Sequence, residues 1–153
     1  MPSAPLAPLL IGSCEPFSGK SAVVLGLARQ LRERGLPIAF GKPLATAFSE
    51  PSAGEESAST PSTGLLDADV RFVGDILRLP AEQLLPSLQE LRADSAHRRL
   101  VSGDLTPGDP FTELQELLSQ DSGRLVLLEA AGTLSEGLLF GLGLVQMARA
   151  LQA

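Results

Sequence analysis

The chain has 153 residues, a net charge of −6, one cysteine and one histidine. This length predicts one domain, residues 1–153, that can bury a core. The acidic charge argues against a nucleic-acid partner, and one cysteine with one histidine excludes an internal disulfide and a zinc-ligand spacing. The longest apolar run, Leu138 to Val145, contains glycines and is too short to span a bilayer. We therefore expect a cytoplasmic protein without a membrane partner.

The first predicted strand, Leu6 to Ile11, is short, apolar and typical of a buried parallel strand. A helical pattern from Ala22 to Leu31 follows, with Val23, Leu27 and Leu31 on its apolar face. Between strand and helix lies the segment Cys14-Glu15-Pro16-Phe17-Ser18-Gly19-Lys20-Ser21. A strand, a tight loop ending in Gly-Lys-Ser and a helix together predict a phosphate-binding loop.

The residue types of this loop suit a nucleotide. Backbone N–H groups and the dipole at a helix start attract phosphate, and Gly19 lets the backbone come close. Lys20 supplies a charge to the terminal phosphates, and the Ser21 hydroxyl can ligate Mg²⁺. The usual pattern has glycine where Cys14 stands. The alternative is a surface turn before an ordinary helix; we predict a nucleotide site.

The second predicted strand, Pro37 to Phe40, carries Gly41-Lys42-Pro43 at its carboxyl end. Two strands joined by a helix form a βαβ unit, and ligands in such sheets lie beyond the carboxyl ends of the strands. Lys42 is therefore expected at the same edge as the phosphate loop.

Residues 49–64 have no apolar period and predict a mobile loop. Order is predicted to resume at residues 65–69, which open a helix through Val70, Val73, Ile76 and Leu77. A second short helix is predicted from Ala81 to Leu91.

A brief strand is predicted near Leu100-Val101. A helix that begins at Asp109-Pro110 and carries Leu114, Leu117 and Leu118 is predicted after it. Leu125 to Leu128 is the clearest buried strand, and it ends in Glu129. A carboxylate at the end of such a strand is typical of a Walker B element that holds Mg²⁺ or its water shell; the alternative is a strand-end glutamate in solvent. A final helix is predicted from Leu138 to Leu151.

Three stretches together resemble dethiobiotin-synthetase-like P-loop proteins, and most of all the N-terminal domain of phosphotransacetylase-like proteins with a DRTGG domain. They are Ile11 to Ser21, Gly41 to Thr46, and Leu125 to Gly137, and Asp67 to Phe72 also looks like that family. The resemblance implies an α/β P-loop NTPase fold, a three-layer parallel sheet flanked by helices, that binds ATP and Mg²⁺. ATP over GTP follows from the resemblance alone.

The resemblance also implies roles for individual residues. Lys20 and Lys42 would be catalytic, with Lys42 contacting the substrate and the transferred phosphoryl group. The metal would be near Ser21, Glu129 and one of Asp67 and Asp69, between which the sequence does not choose. The nucleotide and substrate would be bound by Glu15, Pro16, Phe17, Ser18, Gly19, Lys20, Ser21 and Thr46.

Two departures from the family bear on function. Phe17 stands where dethiobiotin synthetase has an acidic residue. In place of that family's Glu-Gly-Ala-Gly-Gly, this chain has Glu129-Ala130-Ala131-Gly132-Thr133. Biotin synthesis is therefore not expected. We predict a regulatory or ATP-hydrolysing module of a phosphotransacetylase-like protein. The alternative is an ATP-dependent ligase or phosphoryl-transfer enzyme that acts on a small carboxylate or amine.

The family fold would continue with further parallel strands after the last predicted helix. We therefore expect this chain either to be a fragment or to have its sheet completed by a partner, as a homodimer or through an attached domain, because an exposed apolar sheet edge favours pairing.

Overall fold

Four parallel strands form the central sheet in the computed structural model, which describes residues 7–46, 66–90, 97–98, 101–103, 110–120 and 123–153. The order across the sheet is β1, β6, β2, β4. These strands are β1 Leu9–Ile11, β2 Ile38–Gly41, β4 Leu84–Leu85 and β6 Leu125–Glu129. A second parallel pair joins β3, Leu44–Ala45, to β5, Gln89–Glu90.

The α-helices that accompany these strands and have described bounds are α1 Lys20–Glu33, α2 Ala68–Leu77, α3 Pro110–Gln120 and α4 Leu144–Leu151. Short 3₁₀ helices span Ala81–Gln83 and Leu138–Phe140. Among the described residues, no helix has the length and apolar character needed to cross a membrane.

Alternation along the strands places helices on both faces of the sheet, because successive side chains of a strand point to opposite faces. On one face, Val126 and Leu128 of β6 pack in a cluster with Leu114 of α3 and Met147 of α4. On the other, Leu127 packs in a cluster with core residues of β2, α1 and α2: Ile38, Phe40, Val24, Ala28, Val70 and Val73. The predicted α/β class, a parallel sheet flanked by helices, is confirmed.

The position of β6 brings distant segments together. β6 pairs with β1 on one side, where Ile11 is opposite Glu129, and with β2 on the other, where Gly41 is opposite Leu128. Because all three strands are parallel, the β1–α1 loop (residues 12–19), Glu129 and Lys42 meet at one edge of the sheet.

The predicted helix from Ala81 to Leu91 is wrong. A 3₁₀ turn is followed there by β4 and β5. The reason is Pro86, which has no N–H to donate and disfavours a helical conformation at Leu85. After it, the Ser87 hydroxyl donates to the Lys42 carbonyl at 2.6 Å and Leu88 N donates to the Pro43 carbonyl at 2.8 Å.

The ends of the chain also differ from prediction. β1 is an edge strand of the described sheet rather than a buried one, with Leu9 41% exposed. The predicted last helix is divided into the 3₁₀ turn and α4, because Gly141, with φ of 71°, interrupts it. Val101 has helical conformation instead of the predicted strand.

The predicted apolar faces of α1 and α2 need adjustment as well. Val24 and Ala28 form the buried face of α1, while Val23 is 58% exposed. In α2, Val70 and Val73 are buried but Ile76 is half exposed. The predictions for Leu6, residues 49–64, Leu65, Leu91, Leu100 and Asp109 lie outside the described residues.

We expect Gly41→Ala to lower the free energy of unfolding by about 1–3 kcal/mol, as overpacking does. A Cβ at Gly41 would lie 2.7 Å from Leu85 Cβ on the neighbouring strand, where only backbone movement relieves the clash. Gly26→Ala is the matched control, because Gly26 is an exposed position of α1 and a Cβ there has nothing within 4 Å. It should stabilise the chain by about 0.5–1 kcal/mol. Urea unfolding measures both, and equal effects would contradict the packing described.

Candidate functional site

The start of α1 is open toward the sheet edge. Gly19, with φ of 84°, is the N-cap residue, and no side chain caps the helix. The first turn contains no acidic residue, and it begins with Lys20. The first N–H groups of a helix lack intrahelical partners and attract anions. This end of α1 therefore combines free donors, a positive dipole end and a lysine.

Glu129, the last residue of β6, faces this helix start. It lies on the α1 side of the sheet because it follows Leu127 by two residues. The Ser21 hydroxyl donates to Glu129 Oε1 at 3.0 Å. Glu129 is only 2% exposed, and its buried Oε2 has no hydrogen-bond partner among the described residues. A buried carboxylate oxygen without a partner is costly unless a proton or a cation reaches it.

Burial raises the pKa of Glu129 above its ordinary value. The hydrogen bond from Ser21 and attraction to Lys42 and Lys20 act in the opposite direction but do not outweigh burial, and repulsion from Asp69 adds to the rise. The site therefore disfavours the charged form of Glu129 as long as no cation lies beside it.

Lys42 is held by two carboxylates. Its Nζ lies 2.6 Å from Asp69 Oδ2 and 3.2–3.3 Å from the two oxygens of Asp67. Asp67 is the fully buried N-cap residue of α2, and it accepts from Asp69 N at 2.8 Å and from Thr46 N at 2.7 Å. Lys42 is 3% exposed. This network joins the end of β2 to the start of α2.

Burial alone would lower the pKa of Lys42, but its hydrogen bonds and attraction to Asp69 and Asp67 raise the pKa above the ordinary value. Lys42 therefore stays positively charged, and the carboxylates of Asp67 and Asp69 neutralise part of this charge. A lysine in this state acts as a fixed point charge rather than as a base.

Most of the predicted site residues line one cavity of about 570 Å³. Among its lining residues are Pro16, Phe17, Ser18, Gly19, Lys20, Ser21, Lys42, Thr46, Asp69 and Glu129, all predicted from the sequence. Glu15 and Asp67, also predicted, do not line it. The Phe17 ring is fully exposed at this cavity, and its backbone is left-handed, with φ of 55°.

Glu136 also lines the cavity, and its sequence pattern predicts no role in the site. Its Oε2 accepts from Thr133 N at 3.1 Å, and its own N–H donates to Thr133 Oγ1 at 3.2 Å. The Thr-x-x-Glu spacing of a capping box was the available signal. The Ser13 hydroxyl contacts the Gly132 carbonyl at 2.9 Å, which ties this segment to the β1–α1 loop.

Ser21 and Glu129 fit a magnesium ion. No cluster of three or more acidic, histidine or cysteine side chains suited to a metal occurs in the described part of the chain. Mg²⁺ needs fewer protein ligands, because it binds through one or two side chains with substrate phosphates and water. Glu129 Oε2, which has no hydrogen-bond partner in the described ranges, and the Ser21 hydroxyl form a fitting pair of oxygen ligands. Asp67 and Asp69, the other predicted metal residues, instead contact Lys42.

Comparison with known proteins leaves the site to be interpreted from its own geometry. No protein-family model matches the sequence, and a search of curated proteins finds no similar one. The arrangement can bind an anion at the start of α1 and a cation between Ser21 and Glu129.

The raised pKa of Glu129 predicts how stability depends on pH. A raised folded-state pKa stabilises the fold at pH values below the unfolded pKa, and this contribution is lost as the pH rises through the folded pKa. In the absence of divalent ions, the native chain should therefore gain stability relative to Glu129→Gln as the pH falls from 7 toward 4.5, the ordinary value. Urea unfolding along this pH range measures the difference. Glu116→Gln, which changes an exposed glutamate, is the control. Its difference in free energy of unfolding from the native chain should stay constant over this pH range.

Lys42→Met should destabilise the chain by about 3–5 kcal/mol, because it leaves the buried Asp67 carboxylate without its cation. Asp69→Asn should cost less, since the Asp69 side chain is 35% exposed and Asp67 keeps its pairing with Lys42. The double variant should be less destabilised than the sum of both changes. Strict additivity in denaturant unfolding would contradict the coupled network.

Proposed function

We propose that this chain is a P-loop domain that binds ATP with Mg²⁺ and transfers the terminal phosphoryl group to water or another acceptor. The observation that carries the proposal is the Ser21–Glu129 pair at the open start of α1. It has one buried carboxylate oxygen left without a partner among the described residues. The resemblance to dethiobiotin-synthetase-like proteins supports the same interpretation.

In this proposal, the phosphates lie at the N-terminus of α1. The N–H groups after Gly19 donate to phosphate oxygens, and Lys20 adds a positive charge to the terminal ones. Ser21 and Glu129 hold Mg²⁺, which, when bound, neutralises charge on the phosphate oxygens. A cation at Glu129 also removes the cost of its buried negative charge, so ion binding and the charged form of Glu129 favour each other.

Lys42, Thr46 and Asp69 also line the cavity, where an acceptor would lie beside the phosphates. Since Lys42 is held by Asp67 and Asp69, its charge is available at a fixed position without reorganisation. A preorganised cation of this kind stabilises the charge of a transferring phosphoryl group.

A second candidate is a regulatory nucleotide-binding module of a phosphotransacetylase-like protein, which binds ATP with little turnover. Two observations favour it. Phe17, which has no acid–base capacity, lies fully exposed at the cavity. β1 is at the edge of the described sheet with Leu9 exposed, where a second copy or an attached domain would add a strand.

Lys20→Ala should weaken ATP binding by about tenfold or more in excess Mg²⁺, because a charge-assisted hydrogen bond contributes about 1.5–3 kcal/mol. Calorimetric titration with ATP, with Mg²⁺ or with EDTA, measures this. Phosphate release on the same samples separates turnover from binding alone. Arg34→Ala, at the other end of the same helix, removes an equal charge and should bind ATP like the native chain. Equal affinity of Lys20→Ala and the native chain would contradict the proposed site.

A further inference from the structure

The Glu136 carboxylate is held in the cavity by the segment around it. Its Oε2 accepts from Thr133 N, and the Thr133 hydroxyl accepts from Glu136 N in return. The carboxylate lies over Gly132, where an added Cβ would be 2.4 Å from Glu136 Oε2. Only a glycine at position 132 leaves room for this position of the acid. The reciprocal bonds use one carboxylate oxygen, and Oε1 has no hydrogen bond within the described residues.

No lysine or arginine of the described chain forms an ion pair with Glu136. The two lysines that line the cavity do not pair with Glu136. Lys42 contacts Asp67 and Asp69, and Lys20 is the first residue of α1. A carboxylate in a cavity that takes phosphates repels them. Unlike Glu129, which pairs with Ser21, and Asp69, which contacts Lys42, Glu136 is left able to accept a proton from a bound group.

The group in phosphoryl transfer that brings a proton is the attacking nucleophile. We infer that Glu136 is the catalytic base of this site, which accepts a proton from a water or hydroxyl nucleophile. This inference rests on the proposed ATP binding and names the acceptor class, a neutral O–H group. A carboxylate acceptor fits less well, because the carboxylates of Asp69 and Glu136 line the same cavity and repel it.

The step balances with water as the nucleophile. The water oxygen forms a bond to the terminal phosphorus, and the bond from this phosphorus to the bridging oxygen breaks. The electron pair of the broken bond stays on the bridging oxygen of ADP. One proton of the water passes to Glu136, which then releases it to solvent. No oxidant or further reactant is needed.

Glu136→Gln separates this role from a purely structural one. The glutamine side-chain oxygen still accepts from Thr133 N, but the amide cannot take a proton. We expect ATP·Mg²⁺ affinity to stay equal or to increase, since a negative charge leaves the cavity. Phosphate release should fall by about 100-fold or more, the range of general-base catalysis. Glu116→Gln, which makes the same charge change on the exposed side of α3, should retain native binding and release.

Chemical rescue gives an independent measurement. Glu136→Ala opens space at the carboxylate position, and added formate should restore part of its phosphate release, because formate supplies a proton acceptor there. Glu136→Gln should not respond, since its amide fills the space. A residue that only shapes the turn would show neither behaviour.

Three results would overturn the inference. Native-like phosphate release by Glu136→Gln would reduce Glu136 to a turn residue. Lys20-dependent ATP binding by the native chain without phosphate release would leave the nucleotide site intact and remove any reaction for Glu136. Failure of the native chain to bind ATP would contradict the proposed function itself, and with it the role of Glu136.

Discussion

The hydrogen bond from the Ser21 hydroxyl to the Glu129 carboxylate is the contact on which the site depends, and it joins residues 108 positions apart. It exists because β6 lies between β1 and β2 in a parallel sheet, so the helix that follows β1 begins beside the carboxyl end of β6. Leu127 and its neighbours in the apolar cluster with α1 hold the two elements at this spacing. The buried carboxylate is thus positioned by the core, and its Oε2, which has no partner among the described residues, is the atom at which we propose that a cation binds.

A second constraint is the charge network of Lys42, Asp67 and Asp69. Buried ion pairs lose much of their attraction to desolvation, so this network is better understood as positioning than as stabilisation. Asp67 caps α2, accepts from Thr46 N and contacts Lys42, so one buried side chain links the chain after β3, the start of α2 and the end of β2. The consequence is a lysine with a fixed direction and a raised pKa at the cavity wall.

Much of this architecture could be predicted where the signal is local. The apolar run of β6 ending in Glu129, and the strand, loop and helix around Gly19 and Lys20, each carry their own pattern, and the structure has those elements where the pattern predicts them. The helix prediction for Ala81 to Leu91 was wrong, because the leucines have helical spacing but Pro86 prevents a helix. No role was predicted for Glu136, because a capping-box spacing does not indicate that the side chain lines this cavity.

The sequence by itself determined the local chemistry: apolar runs for the strands, a Gly-Lys-Ser helix start, and carboxylates or lysines where strands end. Such features depend on residues that are close together in the sequence, so they can be recognised without the tertiary structure. Only the tertiary structure decided which charges meet. Three features depend on strand order and side-chain burial: the pairing of Lys42 with Asp67 and Asp69, a buried Glu129 oxygen without a partner in the described part of the chain, and the position of Glu136 over Gly132. These are set by packing across the sheet, because burial determines which polar atoms lose water and must find a partner within the protein.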